Sequence, residues 1–574
     1  MRILPPVSIK SRGLLPSRWD VLAALLVLGF IVLFANLSQL LREPLTILSA
    51  TPTSLNPWYL PEYAARTAVR MLIALGVSLV FTFTYATLAA KSERAGRLLI
   101  PLLDILQSVP ILGFISVTVV FFLSLAPGRV LGAELAAVFA IFTSQAWNMA
   151  FSFYQSVRTV PVELTEAGKL FGLNAWARFW RIEVPFAMPS LIWNMMMSMS
   201  GGWFFVVASE SISVGKTSVT LPGIGSYIAE AIAQRNLTAI YWAIGAMLIV
   251  ILVYDQLMFR PLVAWADRFR FDDQQSEVPP RAWALTMLRR SRFMNAIAAP
   301  ASSFMSWTFR LAPPRVPLST AQSPASQRAR AIGWNVLVFA IAALATWRIG
   351  AFVAASVSMA EVLHCFGLGM ITMLRVLILI AIASVIWTPV GVYVGLRPHL
   401  ARVVQPIAQF LAAFPANLLF PVAVSVIVAY SLDPDIWLSP LMVLGTQWYI
   451  LFNVIAGAST LPNELRDVGA NLQVGGWLWW RKIGLPGVFP FYVTGAITAS
   501  GGSWNAAIVA EVATWGNHTL HAHGLGAYIA EATAAGDFRR IVLGVGVMSV
   551  LVTIVNRAFW RQLYWYAERR YRLA

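Results

Sequence analysis

The sequence predicts an all-α integral membrane protein in which about twelve transmembrane helices form two homologous halves. The chain has 574 residues, of which 58% are hydrophobic and only 12% are charged, and soluble proteins carry about twice that charged fraction. Several apolar runs reach the roughly 20 residues that a helix needs to cross a bilayer. A polar segment between such runs occurs twice, as ELTEAGKLFGLNAWARFWRIEVP from Glu163 and ELRDVGANLQVGGWLWWRKIGLP from Glu464, 301 residues later.

Hydropathy and charge bias place six spans in each half. The first, Val21 to Leu41, has a longer apolar stretch than a signal peptide and no small-residue cleavage site, so we interpret it as a retained helix. The spans are predicted at residues 20–41, 66–90, 98–125, 132–157, 186–212 and 237–259, and at 331–355, 372–396, 403–430, 436–458, 487–514 and 539–560.

Basic segments alternate with these spans so that all of them fall on one side, which the positive-inside rule assigns to the cytoplasm together with both termini. The net charge of +17 is therefore attributed to cytoplasmic loops and not to nucleic-acid binding. The basic segments are Lys91–Arg97, Arg158–Arg181, Arg260–Arg330, Arg397–Arg402, Arg481–Lys482 and Arg561–Arg572.

The repeat covers most of both halves in the same order. TAVRMLIALG at Thr67 matches TMLRVLILIA at Thr372, and GIGSYIAEA at Gly223 matches GLGAYIAEA at Gly524. A parallel duplication predicts a pseudo-two-fold axis along the membrane normal, with a pathway between the halves. The predicted divisions are an N-terminal helix and periplasmic segment (1–60), a first membrane domain (61–260), a basic, proline-rich cytoplasmic linker partly on the inner leaflet (261–330), a membrane helix (331–365) and a second membrane domain (366–574).

Within the first polar segment, Glu166-Ala167-Gly168 is followed after three residues by Gly172, and after nine more by the sequence IEVP. This spacing resembles the cytoplasmic EAA loop of binding-protein-dependent ABC importer permeases. The resemblance implies a type I importer fold, like that of methionine and molybdate importers, with each loop docked on an ATPase subunit. The second copy departs from it at Gln473, which stands where the first has Gly172. The implied docking residues are Glu163, Glu166, Ala167, Gly168, Gly172, Ile182, Pro185, Glu464, Asp467, Gly469, Ile483 and Pro486.

The residues of this loop also predict a compact hairpin. Segments 162–171 and 174–182 form two short helices, the second with an aromatic face, and Gly172 lets the chain reverse. Pro185 suits the first turn of the following membrane helix, and Glu163 and Glu464 are expected to cap or brace the helix starts. An amphipathic hairpin lying on the membrane is the alternative for a single copy, whereas two copies favour docking on a two-fold partner.

The C-terminal part of each half resembles the nitrate/sulfonate/taurine branch of these permeases. The residues that carry this are WNAAIVAE (Trp504–Glu511) and GLGAYIAEATAAGDF from Gly524, and the tandem fusion resembles duplicated anion-transport members. The resemblance implies a bacterial inner-membrane importer of a small anion of the nitrate, sulfonate, taurine or bicarbonate class. Two ATPase subunits would bind ATP and Mg, and a periplasmic solute-binding protein would deliver the solute. We expect no cofactor, metal or ATPase site in this chain.

Ionisable residues inside predicted spans are functional hypotheses by default. We predict that Arg70 pairs with Glu210, and Arg375 with Glu511, either as a periplasmic gate or as a structural brace. An anion pathway needs donors without a deep fixed charge. The candidates from paired positions are Gln145, Gln447, Trp203, Trp504 and Asn505, each of which also suits an interhelical hydrogen bond.

Three other features of the sequence say less about function. Gly215-Lys216-Thr217-Ser218 is similar to the end of a P-loop, but the required earlier glycine is Glu210 and we expect no preceding strand. His518, His521 and His523 are interpreted as a polar loop, not a metal site. The single cysteine, Cys365, excludes an intramolecular disulfide. A duplicated secondary carrier or channel remains the alternative function, and no catalytic motif supports an enzyme.

Overall fold

The computed structural model describes residues 19–25, 27–29, 53–108, 111–214, 217–269, 283–310, scattered positions between 333 and 351, and then 357–459, 461–516 and 518–571. The predicted spans at 20–41 and 331–355 therefore lie mostly outside the described residues. Helices dominate the remainder, and each half also contains one short β-hairpin.

The first half and the linker contain helices α1 to α13 and strands β1 and β2. Their bounds are α1 (Leu60–Phe81), α2 (Thr87–Lys91), α3 (Glu93–Ser108), α4 (Ile111–Leu125), α5 (Val130–Arg158), α6 (Val162–Leu170), α7 (Ala175–Arg178), α8 (Val184–Ser209), β1 (Ser211–Val214), β2 (Thr217–Thr220), α9 (Ile224–Ala233), α10 (Leu237–Tyr254), α11 (Arg260–Ala266), α12 (Trp283–Arg290) and α13 (Arg292–Arg310).

The second half repeats this order. Its elements are α14 (Met359–Gly395), α15 (Pro398–Ala413), α16 (Phe420–Ala429), α17 (Pro434–Trp437), α18 (Leu441–Leu444), α19 (Gln447–Ser459), α20 (Asn463–Asn471), α21 (Gly476–Trp479), α22 (Leu485–Ala510), β3 (Val512–Trp515), β4 (His518–His521), α23 (Leu525–Ala535), α24 (Phe538–Val555) and α25 (Arg561–Tyr571).

The described residues contain 6 helices long and apolar enough to cross a membrane, or up to 9 if each bent helix pair counts as one span. The predicted span 436–458 bends by 42° between Pro434–Leu444 and Gln447–Ser459. The predicted span 403–430 is broken more sharply, because α15 and the segment Ala416–Ala429 meet at an angle of 69°. The reason is local, because Phe414 is extended at φ −71° and ψ 128° and the following Pro415 disfavours the helical conformation at that residue.

The predicted second short helix, 174–182, does not stand alone. It begins as α7 and continues through a π-helical turn, Phe179–Glu183, directly into α8. Because Pro185 has no N–H, it cannot donate a hydrogen bond to the preceding helical turn. The π turn is wider than an α-helical turn and accommodates the backbone where this hydrogen bond is missing. The second half does the same, with a π turn at Trp480–Gly484 before Pro486.

The hydropathy pattern does not predict the two β-hairpins. Strand β1 pairs antiparallel with β2, and β3 with β4, so the spans predicted to reach residues 212 and 514 end at Ser209 and Ala510. The expectation that no strand precedes Gly215 is wrong. Because β1 leads into β2 and not into a helix, the P-loop interpretation still lacks the structure that it needs.

The two halves exchange contacts reciprocally. Helix α8 contacts the turn Ala416–Leu418 that precedes α16 while its counterpart α22 contacts α4, and α10 contacts α15 while α24 contacts α3. The rings of Trp193 and Phe452 stack across the interface with centroids 4.9 Å apart, each about two turns from the polar end of its helix. This arrangement is the one that a parallel duplication requires, and it places both polar segments at the same end of the molecule.

Candidate docking hairpins, charge clusters and central cavity

The polar repeats form two hairpins of the same design, named here the first hairpin (residues 162–183) and the second hairpin (residues 463–484). Gly168 of the first is buried, and a Cβ there would lie 2.6 Å from Cδ1 of Ile182. At the matching positions a Cβ on Gly469 would lie 2.8 Å from Cδ1 of Ile483. The glycine and the isoleucine of each repeat therefore pack directly against one another and close the hairpin.

The turn that follows the first helix of each hairpin, α6 or α20, also has the same geometry in both halves. Gly172 has a φ of +67°, and the N–H of Leu173 donates to the carbonyl of Gly168 at 3.0 Å. In the second hairpin Gln473 takes a φ of +51°, and Val474 donates to Gly469 at 2.8 Å. The departure from the family pattern at Gln473 therefore leaves the backbone unchanged and places a non-glycine residue in the left-handed region.

The outer face of each hairpin combines carboxylates with exposed apolar side chains. Glu163 and Glu464 lie in the first turns of α6 and α20, where the helix dipole favours a negative charge. Leu170 is 88% exposed and Leu472 is 71% exposed, and exposed apolar residues clustered at one site are typical of a protein interaction surface. Other exposed residues of the two hairpins include Val162, Glu166, Phe171, Trp176, Leu465, Asp467, Val468, Trp477 and Leu478.

At the opposite end of α8 a buried charge cluster joins three helices. Arg70 is fully enclosed, and its guanidinium donates to Glu210 at 2.7 Å, as the sequence predicted. It also makes two hydrogen bonds to Glu134, at 2.6 and 2.7 Å. Glu134 was missed, although an acidic residue within the predicted span 132–157 was a signal of the same kind as Glu210.

The second cluster repeats this arrangement in a more open form. Arg375 donates to Glu511 at 3.0 Å, which is the predicted pair, and to Asp435 at 3.2 Å. Asp435 lies 301 residues after Glu134 and was also missed, because it precedes the predicted span 436–458 by one residue. His523 binds Asp435 through its backbone N–H, at 2.6 Å, and through its ring, at 2.8 Å.

The repeated glycines after each β-hairpin hold the buried glutamates. Glu210 accepts from the Thr67 hydroxyl at 2.6 Å and from the Gly225 N–H at 2.7 Å, and a Cβ on Gly223 would overlap its carboxylate. In the second half Glu511 accepts from Thr372 at 2.8 Å, and Gly524 has the same role as Gly223. The matching GIG and GLG sequences thus preserve a carboxylate-binding turn.

A cavity of about 400 Å³ lies between the two halves. Symmetry-related residues line it, among them Ser144 with Thr446 and Trp147 with Tyr449. No charged side chain lines it within the part of the chain that the structure describes. Its polar lining residues are Gln107, Thr143, Ser144, Asn148, Ser198, Thr446, Tyr449, Thr498, Asn505 and Asn556.

Two of the five predicted pathway residues, Trp504 and Asn505, line this cavity. The structure places the other three elsewhere. Gln145 is buried against the sulfurs of Met71 and Met199, Gln447 accepts from the Trp387 indole at 2.9 Å, and Trp203 packs edge-on against Tyr254. Asn148 and Tyr449 were missed because hydropathy alone does not identify which face of a helix meets the other half.

The interpretation of the three histidines as a loop is wrong in one respect, since His518 and His521 begin and end strand β4. The ring Nδ1 of His521 lies 2.9 Å from the carboxylate Oε1 of Glu531. Among the described residues no group of three or more His, Cys, Asp or Glu side chains is placed to hold a metal ion.

Two matching bundles of membrane-length helices around a central cavity, each with a polar hairpin at the same end, define a duplicated solute permease. The chain belongs to the family of binding-protein-dependent transport system inner membrane components, whose profile matches residues 79–260 and again residues 387–572. It is therefore a multi-pass membrane permease of the ABC importer type with two permease domains.

Curated relatives include bicarbonate and nitrate permeases. The chain is 27% identical over 177 residues to the bicarbonate transport system permease protein CmpB of Synechococcus elongatus, which covers 31% of this chain and 60% of that protein. It is 23% identical over 182 residues to the nitrate import permease protein NrtB of Leptolyngbya laminosa, a match that covers 32% of this chain and 62% of that protein. It is 24% identical over 193 residues to the glycine betaine/carnitine transport permease protein GbuB of Listeria monocytogenes, and this match covers 33% of this chain and 63% of that protein. The chain thus spans less than two thirds of each relative.

Proposed function

We propose that this chain supplies both membrane halves of an ATP-driven importer that moves a small anion into the cytoplasm by alternating access. The observation that carries the proposal is the central cavity, which is lined by symmetry-related residues of both halves and by neutral amide and hydroxyl groups. Neutral donors bind an anion weakly enough for it to leave, which conduction requires. The bicarbonate and nitrate permeases among the relatives support the same class of solute.

ATP would be hydrolysed by two separate ATPase subunits, one docked on each hairpin. The hairpins lie at the same end of the molecule, and each is closed by a glycine that packs against an isoleucine within it. A displacement of the first hairpin would also displace the membrane helix α8, since α7 is continuous with α8 through the π turn. A periplasmic solute-binding protein would deliver the anion at the opposite end, where the charge clusters lie.

Purification of the chain from its own membranes through an affinity tag, followed by native mass spectrometry, tests the assembly. We expect one copy of the chain with two ATPase-sized subunits. The complex in proteoliposomes, with its binding protein, is then expected to take up labelled bicarbonate, nitrate or a sulfonate only when ATP is present. Uptake that runs without ATP, by a chain that carries no nucleotide-binding subunit, would instead establish a secondary carrier or channel.

A second candidate solute is a quaternary ammonium zwitterion such as glycine betaine. Trp147, Tyr449 and Trp504 are among the residues that line the cavity, and aromatic faces bind quaternary ammonium groups through cation–π attraction. Glycine betaine permeases also occur among the relatives. Competition in the uptake assay tests whether glycine betaine enters the pathway. Excess glycine betaine is expected to block the uptake of labelled anion only if both solutes use the same pathway.

A further inference from the structure

The C-terminal end of the linker helix α13 is fastened to the first hairpin. The side-chain amide of Asn174 donates to the carbonyl of Phe309 at 3.1 Å, and the indole N–H of Trp176 donates to the Thr308 hydroxyl at 3.2 Å. The guanidinium of Arg181 lies 4.8 Å from the centre of the Phe309 ring. The linker therefore contacts the short helix that leads into α8.

Among the described residues, the second hairpin shows no counterpart of these contacts. The residue that matches Asn174 is Gly475, which has no side chain to donate, and the residue that matches Trp176 is Trp477. Trp176 is 43% exposed, whereas Trp477 is 75% exposed. No hydrogen bond joins the linker to the second hairpin among the residues that the structure describes, so the two hairpins are held differently.

The N-terminal end of α13 is fixed by a different part of the chain. The carboxylate of Asp20 accepts from the hydroxyl of Ser291 at 2.9 Å and from the backbone N–H of Phe293 at 3.2 Å. Asp20 and Ser291 are both buried. Asp20 stands at the start of the first predicted span, so both ends of α13 are tied to places where membrane helices begin on the expected cytoplasmic side.

One face of α13 remains exposed and aromatic. Phe293, Phe304 and Trp307 are all exposed, and their spacing of eleven and then three residues places them on one side of the helix. Residues 283–310 contain the four arginines Arg289, Arg290, Arg292 and Arg310 and no acidic residue. Aromatic residues beside arginine are typical of helices that lie on anionic lipid, and Trp is enriched at the membrane interface.

We propose that α13 lies on the inner leaflet, binds anionic lipid headgroups through its arginine-flanked aromatic face, and thereby braces the first hairpin alone. The occupant is a lipid surface and not a protein, because both ends of the helix are tied to segments that lead into membrane helices and its charge is opposite to that of anionic lipid. Lipid charge would then set the mobility of one hairpin and leave the other unaffected.

Lipid contact is tested on the full chain in nanodiscs. The native cysteine, Cys365, is buried and is replaced by Cys365→Ser, and a single fluorescent label is attached at Phe304→Cys or, as a control on the opposite face, at Ser306→Cys. Brominated phosphatidylglycerol and brominated phosphatidylcholine serve as quenchers. We expect quenching at position 304 at least threefold greater than at 306, and a preference for phosphatidylglycerol that disappears when the four arginines are changed to glutamine.

Equal quenching at both positions, or none at either, would overturn the placement. Protection of position 304 from an aqueous quencher only when ATPase subunits are bound would also overturn it, and would make this face part of a protein interface.

Hydrogen exchange tests the brace on the unlabelled chain. Residues 162–183 are expected to exchange several-fold faster in phosphatidylcholine than in phosphatidylglycerol nanodiscs, while residues 463–484 in the same sample stay unchanged. Asn174→Gly, which copies Gly475, removes one of the three contacts with α13 and is expected to reduce the difference, since Trp176 and Arg181 keep theirs. A lipid response of equal size in both hairpins, or one that is unchanged in Asn174→Gly, would contradict the brace.

Discussion

Gln473 occupies the position of Gly172 and takes the same left-handed backbone conformation, with a φ of +51° against +67°. A side chain in this region costs roughly 1 kcal/mol because the Cβ approaches a carbonyl oxygen, whereas glycine adopts it freely. The second hairpin therefore keeps the fold of the first at the expense of local stability.

Gln473→Gly is expected to stabilise the second hairpin by about 1 kcal/mol, which is the strain that glycine removes. Hydrogen exchange over residues 463–484 measures this as a slowing of up to about fivefold. Gly172→Gln is the matched control and should speed exchange in the first hairpin by a similar factor. Unchanged exchange in both variants would show that the turn is not strained.

Gly168→Val is expected to force Ile182 away from the docking helix, since even a Cβ at residue 168 would lie 2.6 Å from its side chain. Coupling of ATP hydrolysis to transport should fall at least tenfold, while the membrane halves remain folded. Adding Ile182→Ala makes room for the new side chain and should restore part of the coupling. A double variant as defective as the single one would place the defect outside this contact.

Loss of Arg70 should be among the most damaging changes in the protein. Removing one partner of a buried ion pair costs about 3–5 kcal/mol, and Arg70→Met leaves two buried carboxylates facing each other. Arg375→Met should cost less, because Arg375 is 12% exposed and Asp435 is 36% exposed. Thermal unfolding of the two variants in detergent compares them directly, and an equal loss would mean that burial does not control the effect.

The exchange Arg70→Glu with Glu210→Arg is not expected to restore the first cluster. Glu134 would then face a glutamate at residue 70, at the position where it now makes two hydrogen bonds to the arginine. Adding Glu134→Gln removes that repulsion, so the triple variant should recover stability that the double variant lacks. Full recovery in the double variant would show that Glu134 contributes little.

Asn505→Phe copies the residue at the matching position of the first half, Phe204, and replaces an amide in the cavity with an apolar ring. We expect anion uptake to fall at least tenfold while ATP hydrolysis by the assembled complex continues, because the docking hairpins are untouched. Phe204→Asn is the control and should leave uptake intact or raise it. Normal uptake by Asn505→Phe would remove this residue from the solute pathway.

The sequence predicted the features that depend on order along the chain. Repeated spacing identified both hairpins, and the rarity of ionisable residues in apolar runs identified the pairs Arg70–Glu210 and Arg375–Glu511. It did not identify the third members, Glu134 and Asp435, since one was overlooked in a predicted span and the other lies just outside one. The break at Pro415 and the two β-hairpins were missed because hydropathy measures the length of an apolar segment and not the direction of its backbone.

The sequence by itself thus determined that the protein is a duplicated membrane permease with two hairpins of one design, because hydrophobic length, charge bias and motif spacing are properties of the chain. Only the tertiary structure decided which polar residues face the cavity. Gln145 and Asn148 lie on the same helix, but Asn148 lines the cavity whereas Gln145 is buried against Met71 and Met199. The position of the other half determines this difference. The tertiary structure alone also decided that the hairpins are held unequally. The contact between Asn174 and Phe309 joins residues 135 positions apart, and no local pattern encodes it.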